Sequence, residues 1–360
     1  MKVHASMAFS LTFFLRLLGS LALAAFMLLP PNAAGAKTIT LKLSFFSSDR
    51  TVAYQTAVKP FVDAINRDGE GSLHIDVYFS GSLGGDQKTL PQLVLDGTAD
   101  IGFIVPGQNP ERFRDTAAIE IPGLFHNARE ASLVYTRLIA ADALPGYSDF
   151  FVIDGTAPET INSRKPLTSL GGLRGLKIRV NNLMEAAGLA NLSALPVVVP
   201  FNETSPAISG KLIDAATVPA AQLFDVGIGR LTTYHYLLPT STAPLALVMS
   251  RKMFDRLSPN AKALIRKYSG EWAADQYSAA YDDLNREALT KIKADARRTV
   301  VEPTDADLKA ADDAFKSVAD DWAAESAENR KLMSMVEVQL AFVRHPEQAP
   351  RAEAPKDDKR

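Results

Sequence analysis

Residues 73–105, LHIDVYFSGSLGGDQKTLPQLVLDGTADIGFIV, carry the pattern that decides the fold. Leu73 to Phe79 alternates apolar and polar side chains, the period of a strand with one buried face. Ser80 to Gly85 is a glycine-rich loop. Asp86 stands where a capping side chain would begin a helix that runs to Asp96, and Gly97 suits the left-handed residue that closes one. Ala99 to Val105 is a short apolar run, the pattern of a buried strand. Upstream, residues 38–46 alternate in the same way. A helical stretch follows to about Asn66, with Pro60 positioned to kink it. Strand, helix, strand, helix, strand is the pattern of βαβ units and a mainly parallel sheet. Ligands on such sheets sit beyond the carboxyl ends of the strands, where the loops Phe46–Asp49 and Pro106–Asn109 fall.

Downstream the theme returns less regularly. Leu176 to Val180 predicts a short strand, Leu195 to Pro200 leads to Phe201, Asn202 to Lys211 predicts a helix, Ile213 to Val218 a strand, and residues 244–250 another. From Ser258 onward the chain reads as helical, because Ser258 is a good N-cap and Pro259 suits the first helical position. Two long segments are expected, 259–295 and 304–342, separated around Pro303. From His345 the chain is rich in proline and charged side chains, a composition that predicts disorder.

At 360 residues the chain is long enough for two domains, each with its own core. The first 36 residues read as a secretory leader. Lys2 and Arg16 are their only Lys or Arg, they hold no acid, an apolar run extends from Leu17 to Leu29, and Ala34-Gly35-Ala36 follow. That layout predicts cleavage after Ala36 and a periplasmic protein. The apolar run falls short of the roughly 20 residues a spanning helix needs. With 39 basic and 41 acidic residues in all, loss of Lys2 and Arg16 leaves a net charge of −4. That balance gives no electrostatic basis for binding nucleic acid. The chain has no cysteine, which excludes disulfides and thiol chemistry.

The signatures of enzymes are missing as well. There is no Gly-x-Ser-x-Gly elbow and no Walker-type phosphate loop. The histidines are His4, His74, His126, His235 and His345, and none pairs with another at metal-ligand spacing. No metal and no cofactor is expected.

Several motifs together resemble one family. Leu173-Arg174-Gly175-Leu176-Lys177-Ile178-Arg179-Val180 is similar to a recurrent motif of the DctP-type extracytoplasmic solute-binding proteins of tripartite ATP-independent periplasmic (TRAP) transporters. Gly81-Ser82-Leu83-Gly84, Gly97-Thr98-Ala99-Asp100-Ile101-Gly102 and Ile121-Pro122-Gly123-Leu124-Phe125 resemble further family segments. So do Pro200-Phe201-Asn202-Glu203, Gly210-Lys211-Leu212-Ile213-Asp214 and Met253-Phe254-Asp255-Arg256-Leu257-Ser258-Pro259, all in the family's order. The resemblance implies an α/β, two-domain periplasmic-binding-protein-like fold with a hinge, a cleft and long C-terminal helices, one of them crossing both domains. The expected division is a leader at 1–36, domain I at 37–156 plus about 244–283, domain II at 157–243 plus about 284–343, and a disordered tail at 344–360.

The resemblance also implies a site. In the family, the arginine that matches Arg179 pairs with the ligand's carboxylate, for which a guanidinium offers two parallel hydrogen bonds. Phe201 matches an aromatic position that packs on the ligand. Phe103 and Val105 end the third strand, and Phe46 and Ser47 follow the first, where family members line the cleft. Two positions depart from relatives. A second arginine found in sialic-acid-type and C4-dicarboxylate-type members would fall at Glu159, and a Glu-Asn pair is replaced by Thr217 and Val218. Glu159 would repel a second carboxylate unless it meets a hydroxyl or amine of the ligand. Thr217 and Val218 imply a more apolar pocket floor. Both changes favour a monocarboxylate with an apolar or aromatic body. Arg179→Ala is expected to weaken binding and leave the fold intact. The implied partners of this monomer are a small organic acid and the membrane subunits of a TRAP permease. A ligand sensor for a membrane receptor and a periplasmic enzyme are the alternative readings.

Overall fold

A computed structural model describes residues 38–147, 150–155 and 158–348. The expected leader, its cleavage after Ala36 and the last residues of the expected tail lie outside the described residues. Strand β1 (Ile39–Ser44) buries Leu41 and Leu43 completely. It pairs in parallel with β2 (Leu73–Tyr78) and with β3 (Ile101–Ile104), in the registers Ile39↔Leu73 and Leu43↔Ile101. The parallel connections are α1 (Lys59–Asp68), preceded by a π-helical turn at Tyr54–Val58, and α2 (Leu90–Asp96). Pro60 lies directly after the π-helical turn, inside a run of helix that continues from it into α1. Asp86 closes the turn before α2 and does not cap it. Its Oδ1 accepts from the N–H groups of Lys88 and Thr89, both at 2.9 Å, so the helix begins later, at Leu90. Gly97 ends α2 at φ 82°, a conformation open to glycine.

Helix α3 (Ala128–Ala140) starts at Asn127, whose Oδ1 accepts from Glu130 N–H at 2.9 Å, and leads to β4 (Phe150–Gly155). The chain then crosses to a second sheet. There it forms β5 (Thr160–Ser163), β6 (Lys177–Val180), α4 (Leu183–Asn191), β7 (Leu195–Val198), α5 (Thr204–Ser209), β8 (Ala215–Val218) and β9 (Tyr234–Tyr236). It recrosses as β10 (Leu245–Ser250), which enters the first sheet antiparallel between β3 and β4. After α6 (Pro259–Lys267) and α7 (Glu271–Ala294), β11 (Thr299–Val301) rejoins the second sheet. The strand orders are β2-β1-β3-β10-β4 and β11-β9-β5-β8-β6-β7.

The two passages between sheets are tied to each other. Pro158 bridges Thr242, Glu159 N–H donates to Ser241 O at 2.9 Å, and Thr240 N–H donates to Glu159 O at 3.1 Å. The hydroxyls of Ser241 and Thr242 donate to the carbonyls of Glu120 and Ile119 at 2.5 and 2.6 Å. Two helices cross as well. Helix α7 buries Tyr277 and Tyr281 in the core of the first sheet and Ala288 and Ile292 in that of the second. In α8 (Asp305–Ala324), Ala311 and Phe315 pack on the second sheet's core, and Val318 and Trp322 on the first's.

The residues after α8 differ from expectation. Helix α9 (Ala327–Arg344) packs Leu332, Val336 and Leu340 with Leu133, Val134 and Leu138 of α3, so this part of the span 284–343 joins the first sheet's layer. The expected tail at 344–360 begins with ordered structure. Arg344 pairs with Glu130 at 2.8 Å, and Pro346–Gln348 forms a 3-10 turn. No helix among the described residues is long and apolar enough to cross a membrane.

Both expected long helices are broken in two. Ser326 Oγ caps α9 by accepting from Asn329 N–H at 2.9 Å. Ser258 caps α6 as the sequence predicts, with Oγ accepting from Ala261 N–H at 3.2 Å. Gly270 divides α6 from α7 with φ 59° and ψ −134°, a region closed to side chains. A Cβ placed there would meet only Thr136 Cγ2, at 3.9 Å, so space is not the obstacle. Gly270→Ala should therefore destabilise the protein by about 1–3 kcal/mol through backbone strain alone, read as a lower denaturant midpoint with an unchanged slope.

Candidate functional site

The carboxyl ends of β1 and β3 face the second sheet across a narrow cavity of about 40 Å³. One water needs about 10–15 Å³ of such space, so the cavity has room for a few waters and its walls are close. Phe45, Phe46, Phe103, Val105 and Leu245 border it from the first sheet, and Phe201 from the second. Phe45 and Phe103 meet edge to face at 5.1 Å and 64°, and Phe46 stacks on Phe45 at 5.4 Å. The polar part of the wall includes Ser47, Gln87, Glu159, Asn181, Gln222 and Asp225. A larger, open groove of about 790 Å³ runs past Phe113, Leu183 and Trp322 and shares no lining residue with this cavity.

Behind the polar wall lies a buried ionic network. Arg179, next to the end of β6, has no exposed surface. Its Nε and Nη1 donate to the carbonyls of Val199 and Thr217, both at 2.9 Å, and Nη2 donates to Asn181 Oδ1 at 2.5 Å. Asn181 Nδ2 donates to Glu159 Oε1 at 2.6 Å. Glu185, in the first turn of α4, accepts from Asn181 N–H at 3.2 Å, Thr217 Oγ1 at 3.0 Å and Thr240 Oγ1 at 2.6 Å. The hinge residue Thr240 is thereby joined to the carboxyl ends of the second sheet.

Three carboxyl groups are buried here, and burial favours their protonated forms. It pushes Glu159 well above the usual carboxylate range, helped by the charge of Glu185 and opposed by that of Arg179. It raises Glu185 too, against the hydroxyl of Thr240. Glu120 is pushed up to about 8 by burial and then by Glu185. At the cavity, burial raises Asp225 to about 7, although its Oδ2 accepts from Val52 N–H at 3.0 Å. That bond joins the two halves, as does Gln108 Nε2 donating to Asn181 O at 3.1 Å. The Glu159 carboxyl also interacts with the carboxyl of Glu185 and the hydroxyl of Thr217.

Phe46, Ser47, Phe103, Val105, Phe201 and Glu159 thus border one cavity. Arg179, Thr217 and Val218 do not. The guanidinium of Arg179 is turned onto carbonyls at the ends of its neighbouring strands. Thr217 and Val218 belong to β8, an interior strand with both residues fully buried, so they do not form a pocket floor. The burial of Arg179 also replaces the expectation that its loss would leave the fold intact. Gln87, Asn181, Glu185 and Asp225 were not expected at the site. Asn181 and Glu185 had a signal, since they follow Arg179 directly at the carboxyl end of a strand. Gln87 and Asp225 had none. His235 is a buried structural residue, with Nδ1 2.7 Å from Asn162 Oδ1. Burial and then the charge of Arg298 hold it down at about 4, so it is neutral. The described residues contain no cluster of metal-ligating side chains.

Known proteins share this architecture. The chain is 27% identical over 234 residues to the 2,3-diketo-L-gulonate-binding periplasmic protein YiaO of Escherichia coli, covering 59% of this chain and 67% of that protein. It is 25% identical over 248 residues to the sialic acid-binding periplasmic protein SiaP of Vibrio cholerae, covering 63% and 72%. Among solved structures, a marine metagenome TRAP solute-binding protein specific for aromatic acids, in complex with 3-hydroxybenzoate, matches with a TM-score of 0.80 at 23% identity, over 85% of this chain and 99% of that one. A TRAP solute-binding protein of Rhodoferax ferrireducens with copurified benzoate matches at 0.73 and 23%, over 84% and 98%. The family model for the bacterial extracellular solute-binding proteins, family 7 (DctP), matches residues 43–326, and the chain belongs to that family.

Proposed function

We propose that this protein captures a monocarboxylate with an apolar or aromatic body in the cavity between its sheets and delivers it to a TRAP permease in the periplasm. The observation that carries this reading is the narrow cavity whose walls include four phenylalanine rings and Asn181, with Arg179 directly behind Asn181. The two solved relatives described above hold aromatic acids on the same fold, which supports the ligand class. An incoming carboxylate replaces Asn181 Oδ1 on Nη2 of Arg179, whose Nε and Nη1 stay on their carbonyls. Glu159 does not repel it, because burial keeps that carboxyl toward its neutral form. Micromolar affinity requires about 8 kcal/mol. Charged hydrogen bonds supply about 1.5–3 kcal/mol each, and contact with the aromatic walls supplies much of the rest.

The closed cavity is too small for such a solute, so the walls must part to admit one. Opening breaks the bonds Val52–Asp225 and Gln108–Asn181, and the tied passages at Pro158 and Thr242 act as the hinge. The solute favours closure because it touches both halves. In this division 37–156 with 244–283 forms one body, joined by α9, and 157–243 forms the other with the intervening helices crossing between them.

Isothermal titration against aromatic and aliphatic monocarboxylates tests the reading, and failure of every such acid to bind would refute it. Arg179→Lys keeps the charge and loses the planar donors that anchor it to the carbonyls of Val199 and Thr217, so affinity should fall about tenfold or more. Arg179→Ala leaves buried carboxyl groups without their cation, and chemical denaturation should show a loss of about 3–5 kcal/mol.

Asp225 predicts a pH dependence. Below its ordinary value of 3.8 the carboxyl is protonated whether the chain is folded or not. Between 3.8 and about 7 the unfolded chain releases the proton and the folded chain keeps it, so the folded state loses ground as pH rises. Above about 7 the penalty is complete. Asp225→Asn retains an acceptor for Val52 N–H and removes the penalty. The melting temperature of the variant should match that of the parent near pH 4, exceed it by a margin that grows to about pH 7, and hold that margin above it.

A further inference from the structure

The turn after β3 meets the start of α4, and the seam between them governs how the halves close, on the basis of the solute-binding reading above. That turn is Pro106–Gln108, directly after Val105 on the cavity wall. The φ of Gly107, at its centre, lies outside the left-handed region, so the backbone alone does not call for glycine there. The neighbours do. A Cβ placed on Gly107 would stand 2.8 Å from Glu120 Oε1, 3.1 Å from Asn182 Cβ and 3.3 Å from the carbonyl oxygen of Asn181. Glu120 belongs to the first half, and the end of its side chain can turn aside. Asn181 and Asn182 belong to the second half, and both are buried.

Both sides of the seam are pinned. Gln108 N–H donates to Val105 O at 3.0 Å and Asn109 N–H to Pro106 O at 2.8 Å, which holds the turn. Asn182 caps α4 through Oδ1, which accepts from Glu185 N–H at 2.7 Å, and its Nδ2 donates to Thr242 O at 3.2 Å. A side chain on Gly107 therefore parts the halves more readily than it displaces either wall. The bond to Thr242 places the seam beside the hinge, where a small gap turns the halves through a wide angle. We infer that Gly107 is a positioning residue for closure: its missing side chain lets the first half seat on Asn181 and Asn182, and so sets how long the solute is held. Asn181 also bonds Arg179 and borders the cavity, so the same seat aligns the groups around the solute.

Stopped-flow binding to the full protein tests the inference, with benzoate as the first probe and otherwise the monocarboxylate bound most tightly in the titration above. Gly107→Ala should raise the dissociation rate about tenfold and Gly107→Val further, with association little changed. The melting temperature of each variant without solute should stay near that of the parent, because the open state does not make the seam. Small-angle scattering should show the parent contracting when saturated with the acid and Gly107→Val remaining extended. Unchanged dissociation in both variants, or contraction of Gly107→Val like that of the parent, would overturn the inference and leave acid binding standing. A marked fall in the melting temperature of solute-free Gly107→Ala would also overturn it, by assigning the glycine to folding. Binding of no monocarboxylate by the parent would remove both readings.

Discussion

A guanidinium with no exposed surface is expensive to bury, and Arg179 is tolerable only because the protein surrounds it with acceptors. Two of them are carbonyls at the ends of β7 and β8, the strands beside its own. The third belongs to Asn181, which also holds Glu159. Glu185 completes the enclosure and binds the hinge hydroxyl of Thr240. One buried cation therefore fixes the carboxyl ends of three strands, the start of α4 and the segment that returns to the first sheet. The same enclosure accounts for the raised carboxyl groups nearby. A single cation cannot balance Glu159, Glu185 and Glu120 together, and burial makes protonation the cheaper state.

The crossings between the sheets limit how the halves can move. Two extended passages are hydrogen-bonded to each other at Pro158 and Thr242, and the hydroxyls of Ser241 and Thr242 anchor one of them to the backbone at 119–120. Helices α7 and α8 each leave one core and enter the other. Such links resist sliding and favour rotation about a line through the passages. The cavity lies beside that line, between Phe103 on one half and Phe201 on the other. The bond from Val52 to Asp225 joins the two halves there.

Much of the site could be read from residue order. A strand followed by a loop at the carboxyl edge of a parallel sheet marks Phe46, Ser47, Phe103 and Val105 as cavity residues, because strand direction alone decides which end faces the cleft. The orientation of Arg179 could not be read in that way. Its position in β6 is local, but its acceptors come from strands reached twenty and thirty-eight residues later. Thr217 and Val218 look like a pocket floor when counted along the chain, yet β8 has neighbours on both sides and its residues are sealed. Gln87 sits in a turn with no distinguishing pattern. Asp225 follows a short 3-10 turn, and its importance comes from Val52, far away in sequence.

The sequence by itself determined the α/β class, the parallel order of the first strands, the Ser258 cap and the family of the chain. These depend on periodicity, on capping chemistry and on ordered motifs, all of which act over a few residues. The breaks at Gly270 and Ser326, the return of α9 to the first sheet and the burial of Arg179 were decided only by tertiary structure. Each depends on which distant surface is available to cover an apolar face or complete a hydrogen bond. That availability is a property of the assembled sheets, because a side chain becomes a wall, a partner or a buried ion only when residues far along the chain close around it.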